Sequence, residues 1–255
     1  MSDIKDNLAN ERGKKILPGF SIDCVIFGFH ENQLKVLLLK MKGADRWSLP
    51  GGFVDKDEEV DNAASRILEF RTGLKNVFLK QFYLFGDPGR SDASVNKKIL
   101  EQYGVEHDDT HWLLQRFITL GYYALVEFSK AIPKADALSD ACEWWEINDL
   151  PAMVHDHRKV LDKALENVQR QLSYIPIGFN LLPKKFTMPQ LQKLYETILD
   201  KQLDRRNFQR RILSFKILNK LEERKTGVAH KAPFLYSFHL ENYNKALAEG
   251  LSGSW

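Results

Sequence analysis

The sequence predicts a two-domain chain of the α/β (α+β) class, an α/β/α sandwich followed by a C-terminal winged helix-turn-helix domain. Three observations carry this expectation. Strand-like apolar runs and helical patterns mix from Ser21 to Leu172. Two prolines and a glycine then interrupt the pattern at Ile175-Pro-Ile-Gly-Phe-Asn-Leu-Leu-Pro. Beyond them come two short amphipathic helices and two strands, the element order of a helix-turn-helix with a hairpin wing. The expected organisation is a frayed N-terminus over 1–17, a sandwich domain over 18–174 with an insertion at 88–115, an ordered linker over 175–186, and the winged domain over 187–255.

The elements follow in order. Ile22-Asp-Cys-Val-Ile-Phe-Gly-Phe and Leu34-Lys-Val-Leu-Leu-Leu-Lys flank the turn His30-Glu-Asn-Gln and read as a hairpin of mostly buried strands. Trp47-Ser-Leu-Pro-Gly-Gly-Phe-Val is a glycine-rich loop and short strand. Asp57 to Leu74 reads as a helix, with Asp57 as a possible N-cap and Gly73 as a left-handed C-cap. Strands are expected at Val77–Phe85, Phe117–Val126 and Glu143–Ile147, and a helix from about Asp156 to Leu172. The polar stretch 88–115 carries one short helix near Val95–Gln102. In the C-terminal part, helices are expected at Met188–Asp200 and Asp204–Phe215, and strands at Ile217–Leu221 and Phe234–His239.

With 255 residues, 44% hydrophobic and 28% charged, the chain has the size and composition of a two-domain globular protein. No apolar run approaches the ~20 residues of a membrane span, and Met1 to Glu11 is polar, unlike a signal peptide. Cys24 and Cys142 cannot build a disulfide framework, and no Cys/His cluster has zinc spacing. Both are expected to be buried thiols in a cytoplasmic protein without metal or cofactor. The net charge of +3 hides a split: Lys184 to Lys231 holds 13 Lys and Arg against 5 Asp and Glu, a local +8, which leaves −5 for the rest. Such a split suggests a polyanionic partner for the C-terminal part.

At Gly51-Gly-Phe-Val-Asp-Lys-Asp-Glu-Glu-Val-Asp-Asn-Ala-Ala-Ser-Arg-Ile-Leu-Glu-Phe-Arg-Thr-Gly-Leu the chain resembles the Nudix box, with Gly52, Glu58, Arg66, Leu68, Gly73 and Leu74 at matching positions. Trp47-Ser-Leu-Pro-Gly-Gly and Trp145-Glu-Ile-Asn-Asp-Leu-Pro also look like Nudix framework, and the resemblance covers roughly residues 18–170. It implies that the metal-binding glutamates of active members would stand at Ile67, Phe70 and Arg71. Those positions are spaced i, i+3, i+4 and share one helical face, where carboxylates would converge on a hard cation. An alkyl group, a ring and a guanidinium cannot do so, which predicts no catalytic residues here. Glu69 points off that face. Asp55, Glu58, Glu59 and Asp61 are expected to favour the helix N-terminus, and Arg66 to brace the preceding loop.

The second signal is Asp204-Arg-Arg-Asn-Phe-Gln-Arg-Arg-Ile-Leu-Ser-Phe. Phe208, Ile212 and Phe215 should face the core, and Asp204 should cap the helix. Arg205, Arg206, Gln209 and Arg210 then point outward near the N-terminal half, the part that enters a major groove. Arginine can fork onto guanine or phosphate, and glutamine can read adenine. Arg211 and Lys216 are placed for the backbone. In the preceding helix, Leu191, Leu194, Tyr195, Ile198 and Leu199 form the core face. Arg224, Lys225, His230 and Lys231 form the wing's candidate contacts.

Phe179-Asn-Leu-Leu-Pro-Lys-Lys-Phe-Thr, Leu191-Gln-Lys-Leu-Tyr-Glu and Leu203-Asp-Arg-Arg-Asn-Phe-Gln-Arg-Arg resemble the hallmark of Nudix-related transcription regulators. The resemblance implies a catalytically dead Nudix domain that senses a small molecule, ADP-ribose or a pentose such as arabinose, and a winged helix that binds palindromic operator DNA as a homodimer. The overall similarity leans toward the sugar-utilisation branch. Candidate effector contacts are Asp23, Trp47, Phe85, Asp87 and Arg90, polar and aromatic groups able to orient and stack a sugar. Two other readings are a Nudix hydrolase of nucleotide diphosphate derivatives with a displaced metal site, and a C-terminal protein-interaction module.

Overall fold

The computed structural model describes residues 5–6, 8–42, 45–172, 176, 179–225 and 232–250. The chain divides into two compact units. The first comprises 1–27, 35–124 and 131–164; the second comprises 28–34, 125–130 and 165–255.

The first unit is built on a seven-stranded sheet. Its strands are β1 (Ile16–His30), β2 (Gln33–Met41), β3 (Trp47–Ser48), β4 (Gly51–Asp55), β5 (Lys80–Phe85), β6 (Ile118–Val126) and β7 (Ser139–Glu146). The order is β3-β2-β1-β6-β5, with β4 pairing β1 and β7 pairing β2. Residues 22–27 of β1 are all buried, because a strand covered on both faces reads as a continuous apolar run rather than an alternation. β7 starts earlier than expected, at Ser139, since its first residues lack the apolar signature; it pairs with β2 from Lys35↔Glu146 to Met41↔Ser139.

Four helices join this unit: α1 (Asn10–Gly13), α2 (Val60–Thr72), α3 (Ala93–Gln102) and α4 (His157–Leu172), which runs on into the second unit. Ala63, Ala64, Ile67, Leu68, Arg71 and Thr72 form the buried stripe of α2. Its cap is Glu59, not Asp57: the Glu59 carboxylate accepts from the Asp61 and Asn62 amides at 3.0 and 3.1 Å. Gly73 ends the helix at φ 72°, its amide closing onto the Glu69 carbonyl.

Within the stretch 1–17 expected to be frayed, the described residues 8–17 are held in place. Leu8 is buried with Leu100 and Leu113 in a small core against Phe53, Ile99, Trp112 and Leu138. The Trp112 indole donates to the Ala9 carbonyl at 3.1 Å, and Arg12 pairs with Asp55 at 2.6 Å. One apolar anchor, one backbone acceptor and one charge hold a segment whose composition alone reads as loose. The insertion carries α3, capped by Asp92, and a short 3-10 turn at Trp112–Leu114. Cys24 is fully buried, whereas Cys142 is only half-buried; burial pushes both thiols up, Cys142 to about 12.

In the second unit, β8 (Phe186–Thr187), α5 (Met188–Leu199), α6 (Arg205–Ser214), β9 (Leu218–Arg224), β10 (Phe234–Phe238) and α7 (Leu240–Glu249) follow in order. The sheet order is β8-β10-β9. Leu191, Leu194, Tyr195, Ile198, Phe208 and Ile212 are buried as expected, while Leu199 and Phe215 are only half-buried. Thr187 and Gln190 close a reciprocal capping box at the start of α5, and Asp204 caps α6 by accepting from the Asn207 amide at 2.9 Å. In the linker, Leu181 and Leu182 are buried. The sequence reading missed α7, whose Tyr243 is buried and donates to the Pro176 carbonyl at 2.7 Å.

Candidate functional site

The first unit encloses a cleft of about 460 Å³. Its floor is a buried ion cluster. Arg90 Nε donates to Asp156 Oδ2 at 3.1 Å, and Nη2 reaches Asp156 Oδ1 at 2.9 Å and Asp23 Oδ2 at 3.2 Å. His157 Nδ1 accepts from the Leu49 amide at 2.9 Å, which leaves its Nε2 side facing Asp23 at 3.6 Å. The backbone passes close by: a Cβ on Gly51 would overlap Asp23 Oδ1. The walls carry Phe53, Phe117 and Trp112, with ring centroids 4.8 Å apart for Phe53–Trp112 and 5.0 Å for Phe53–Phe117. The insertion thus lines the cleft through Val95, Asn96, Ile99, Trp112 and Leu113.

Of the five effector candidates, the structure brings Asp23 and Arg90 together in the cleft. The other three are not among its walls. Trp47 is buried edge-on against Trp145 at 5.0 Å. Phe85 packs on Phe82 and Tyr83. Asp87 is exposed and accepts from the Gly89 amide at 2.8 Å, shaping the turn that delivers Arg90. Residue type alone did not show which face of its strand each aromatic occupies. The reading missed Trp112 and the run His155-Asp156-His157 at the start of α4, whose three consecutive polar residues were the available signal. His155 lines the cleft at φ 48°, and its Nδ1 accepts from the Asp92 amide at 3.0 Å. Burial and then the charge of His157 hold its pKa at about 4.

Ile67, Phe70 and Arg71 all line this cleft. Ile67 is buried and Phe70 is 52% exposed. Arg71 is buried, with Nη1 2.6 Å from Asp136 and Nη2 donating to Met41 Sδ at 2.8 Å. The acids at the start of α2 are also committed. Glu58 holds Arg66 at 2.6 Å, Asp55 holds Arg12, and Asp61 accepts from the Tyr122 hydroxyl and from Gln81. Arg66 braces the loop before the helix by donating to the Phe53 carbonyl at 3.0 Å. Glu69 is exposed and pairs with Lys75.

The nucleic-acid candidates lie in the second unit. Arg205, Arg206 and Arg210 are exposed on α6; Gln209 and Arg211 are half-buried. Arg210 is steered by Asn207, whose Oδ1 accepts from it at 3.0 Å, and Arg211 sits 5.9 Å from the Phe215 ring. The turn into α6 is braced from α5. Gln192 donates to the Leu203 carbonyl at 2.8 Å, and Glu196 accepts from the Leu203 amide at 3.0 Å. Arg224 and Lys225 are exposed on the wing, whereas His230 and Lys231 lie outside the described residues.

The NUDIX domain family model matches residues 18–164, more than half of the chain. The chain belongs to the Nudix family. Residues 178–238 match the NrtR DNA-binding winged helix domain, so the Nudix domain is joined to a DNA-binding module. The chain is 28% identical over 235 residues to the ADPR responsive transcriptional repressor NtrR of Acinetobacter baylyi, covering 89% of this chain and 84% of that protein. The crystal structure of Shewanella oneidensis NrtR superposes with a TM-score of 0.70 at 24% identity, covering 93% of this chain and 100% of that one. The same protein complexed with a 27mer DNA gives 0.69 at 23% identity, covering 92% and 99%.

The metal that serves Nudix catalysis does not fit these residues. The three box positions offer no oxygen donor, and the Arg71 guanidinium would repel a divalent cation. Among the described residues, no group of three or more His, Cys, Asp or Glu is placed to hold a metal ion.

Three outcomes follow from this geometry. Arg90→Ala leaves two buried carboxylates unpaired and should destabilise the first unit by about 3–5 kcal/mol in urea unfolding; a loss under 1 kcal/mol would contradict the ion cluster. Because the folded state keeps His155 neutral, its stabilising contribution is complete above the unfolded value near 6.5 and is lost as pH falls from there toward about 4. Thermal melts from pH 7 to 4.5 should therefore show a falling midpoint, and His155→Gln should flatten that fall. Glu196→Ala should weaken duplex binding roughly threefold to tenfold, about 0.5–1.5 kcal/mol, without changing its salt dependence, as read by fluorescence anisotropy.

Proposed function

We propose that this chain is a ligand-responsive transcription repressor, in which a non-catalytic Nudix domain senses a small molecule and the winged helix binds a palindromic operator as a homodimer in the cytoplasm. One observation carries the reading. The face that would hold metal, Ile67, Phe70 and Arg71, forms part of a cleft wall in a chain that also has a DNA-binding winged helix. Such a cleft can hold a small molecule without cleaving it, and differential affinity for two states of the protein then shifts operator binding. Asp23 and Arg90 shape the cleft floor, while Arg205, Arg206, Gln209, Arg210 and Arg211, with Arg224, Lys225, His230 and Lys231, meet the DNA.

Two effectors fit this scheme. The Acinetobacter relative is described as ADPR responsive, which supports ADP-ribose. The charge of the cleft favours an uncharged pentose. Each of its four arginines faces a carboxylate: Arg12 with Asp55, Arg66 with Glu58, Arg71 with Asp136, and Arg90 with Asp23 and Asp156. The floor has two carboxylates for one guanidinium, a poor seat for a pyrophosphate.

Titration calorimetry with ADP-ribose and with arabinose, each with and without Mg²⁺, distinguishes the readings. Binding of one ligand, its release of a footprinted operator and an intact ligand afterwards are expected. Mg²⁺-dependent cleavage of ADP-ribose would restore the hydrolase reading. Footprinting that protects no site upstream of any neighbouring operon would remove the regulator reading.

A further inference from the structure

We propose that Lys220, Arg224 and Phe234 form a preorganised grip for one backbone phosphate of duplex DNA at the wing. The proposal rests on DNA binding by the winged helix and assigns a site there built around Lys220.

The geometry begins with a strand irregularity. β10 pairs with β9 through Phe234↔Arg224 and Tyr236↔Lys220, so two residues of β10 span four of β9. The bulge draws Lys220 and Arg224 together. Both cations end over the same ring: Lys220 Nζ and Arg224 Cζ each lie 3.9 Å from the Phe234 centroid. They are therefore no more than twice that distance apart. Arg224 is fixed further by donating to the Ala232 carbonyl at 2.9 Å.

Two like charges are not gathered on one half-buried ring without electrostatic cost. The ring's π electrons offset part of it, and an anion reaching both cations would offset the rest. Two acids lie between them in β9: both Glu223 oxygens meet Lys185 at 2.7 Å, and Glu222 is exposed and pairs with neither cation. Among the described residues, no carboxylate forms an ion pair with Lys220 or Arg224. Register places both cations on the sheet face that carries Tyr236, which is buried, so they stand on the helix side of the wing rather than its back. A phosphodiester suits the pair. Arginine donates in a fork, lysine adds a point charge, and the ring holds both long side chains in place before contact.

Salt titration of the full-length protein on a random-sequence 27mer duplex, followed by anisotropy from about 50 to 200 mM salt, tests the grip. Each lost phosphate contact should reduce the slope of log K against log salt by about 0.9. Because both cations hold one phosphate, Lys220→Ala with Arg224→Ala is expected to lose about one such step, and Lys220→Ala alone a measurable part of it. Phe234→Leu keeps both charges but frees them, and should weaken binding several-fold while its slope stays near wild type. Lys185→Ala, which removes an equal charge from the Glu223 pair, should leave the slope unchanged. A Lys220→Ala slope equal to wild type overturns the grip, as does an equal loss in Lys185→Ala, which would mark a diffuse basic surface. Unweakened binding by Phe234→Leu, with a wild-type melting curve, overturns the role of the ring. Failure of the wild-type protein to bind any duplex would remove both this inference and the regulator reading, whereas the variant outcomes touch this inference alone.

Discussion

Arg90 sits between Asp23 and Asp156, with its side chain 5% exposed, and the cleft is organised around that fact. A guanidinium withdrawn from water is tolerable only where its fork is met by well-placed acceptors. The acceptors come from separate stretches of chain: Asp23 from the middle of β1, Asp156 from the turn ahead of α4. Arg90 itself arrives on the turn shaped by Asp87. Joining them fixes the floor of the cleft, and Gly51 must lack a side chain for Asp23 to lie where it does. His157 adds a third tie, from the Leu49 amide to the carboxylate of Asp23. The floor thus holds two carboxylates for one guanidinium, with the His157 ring beside them.

The residues at the three box positions are matched to their neighbours. Ile67 packs against Gly52, where a Cβ would approach it to 3.1 Å. Arg71 is buried because Asp136 and Met41 receive its guanidinium. A single glutamate restored at position 71 would face Asp136 in a desolvated site, with two like charges and no cation between them. The three box positions thus fit their surroundings as they stand, and all three line the cleft.

The parts of this arrangement that the sequence revealed are those set by local rules. The spacing of Ile67, Phe70 and Arg71 placed them on one face, Gly73 and Asp204 stand at the ends of their helices, and the core stripes of α5 and α6 follow the helical period. The parts it hid are set by tertiary contact. Leu8 is one apolar residue in a polar run, and nothing local shows that Leu100 and Leu113 wait for it. Trp112 lies in a stretch that reads as an exposed insertion, yet it forms a cleft wall and holds the N-terminal segment. Trp47 and Phe85 are the right residue types for a stacking site, but their strands turn them into the core. Helix α7 carries a periodic signal in Leu240, Tyr243 and Leu247, but only Tyr243 is buried, so the stripe is too thin to mark the helix by pattern alone.

Helix α6 carries an electrostatic conflict within its first turn. Arg205 and Arg206 stand at the positive end of the macrodipole, where cations are unfavourable. Asp204 offsets this by capping the Asn207 amide, and Gln192 with Glu196 hold the turn that delivers the helix. The buried face, through Phe208 and Ile212, supplies the stability that the first turn lacks. A helix selected for its own stability would carry acids at those two positions. Arginines there become more favourable where a polyanion lies across the helix start, so the helix carries a local electrostatic conflict that its own fold does not resolve.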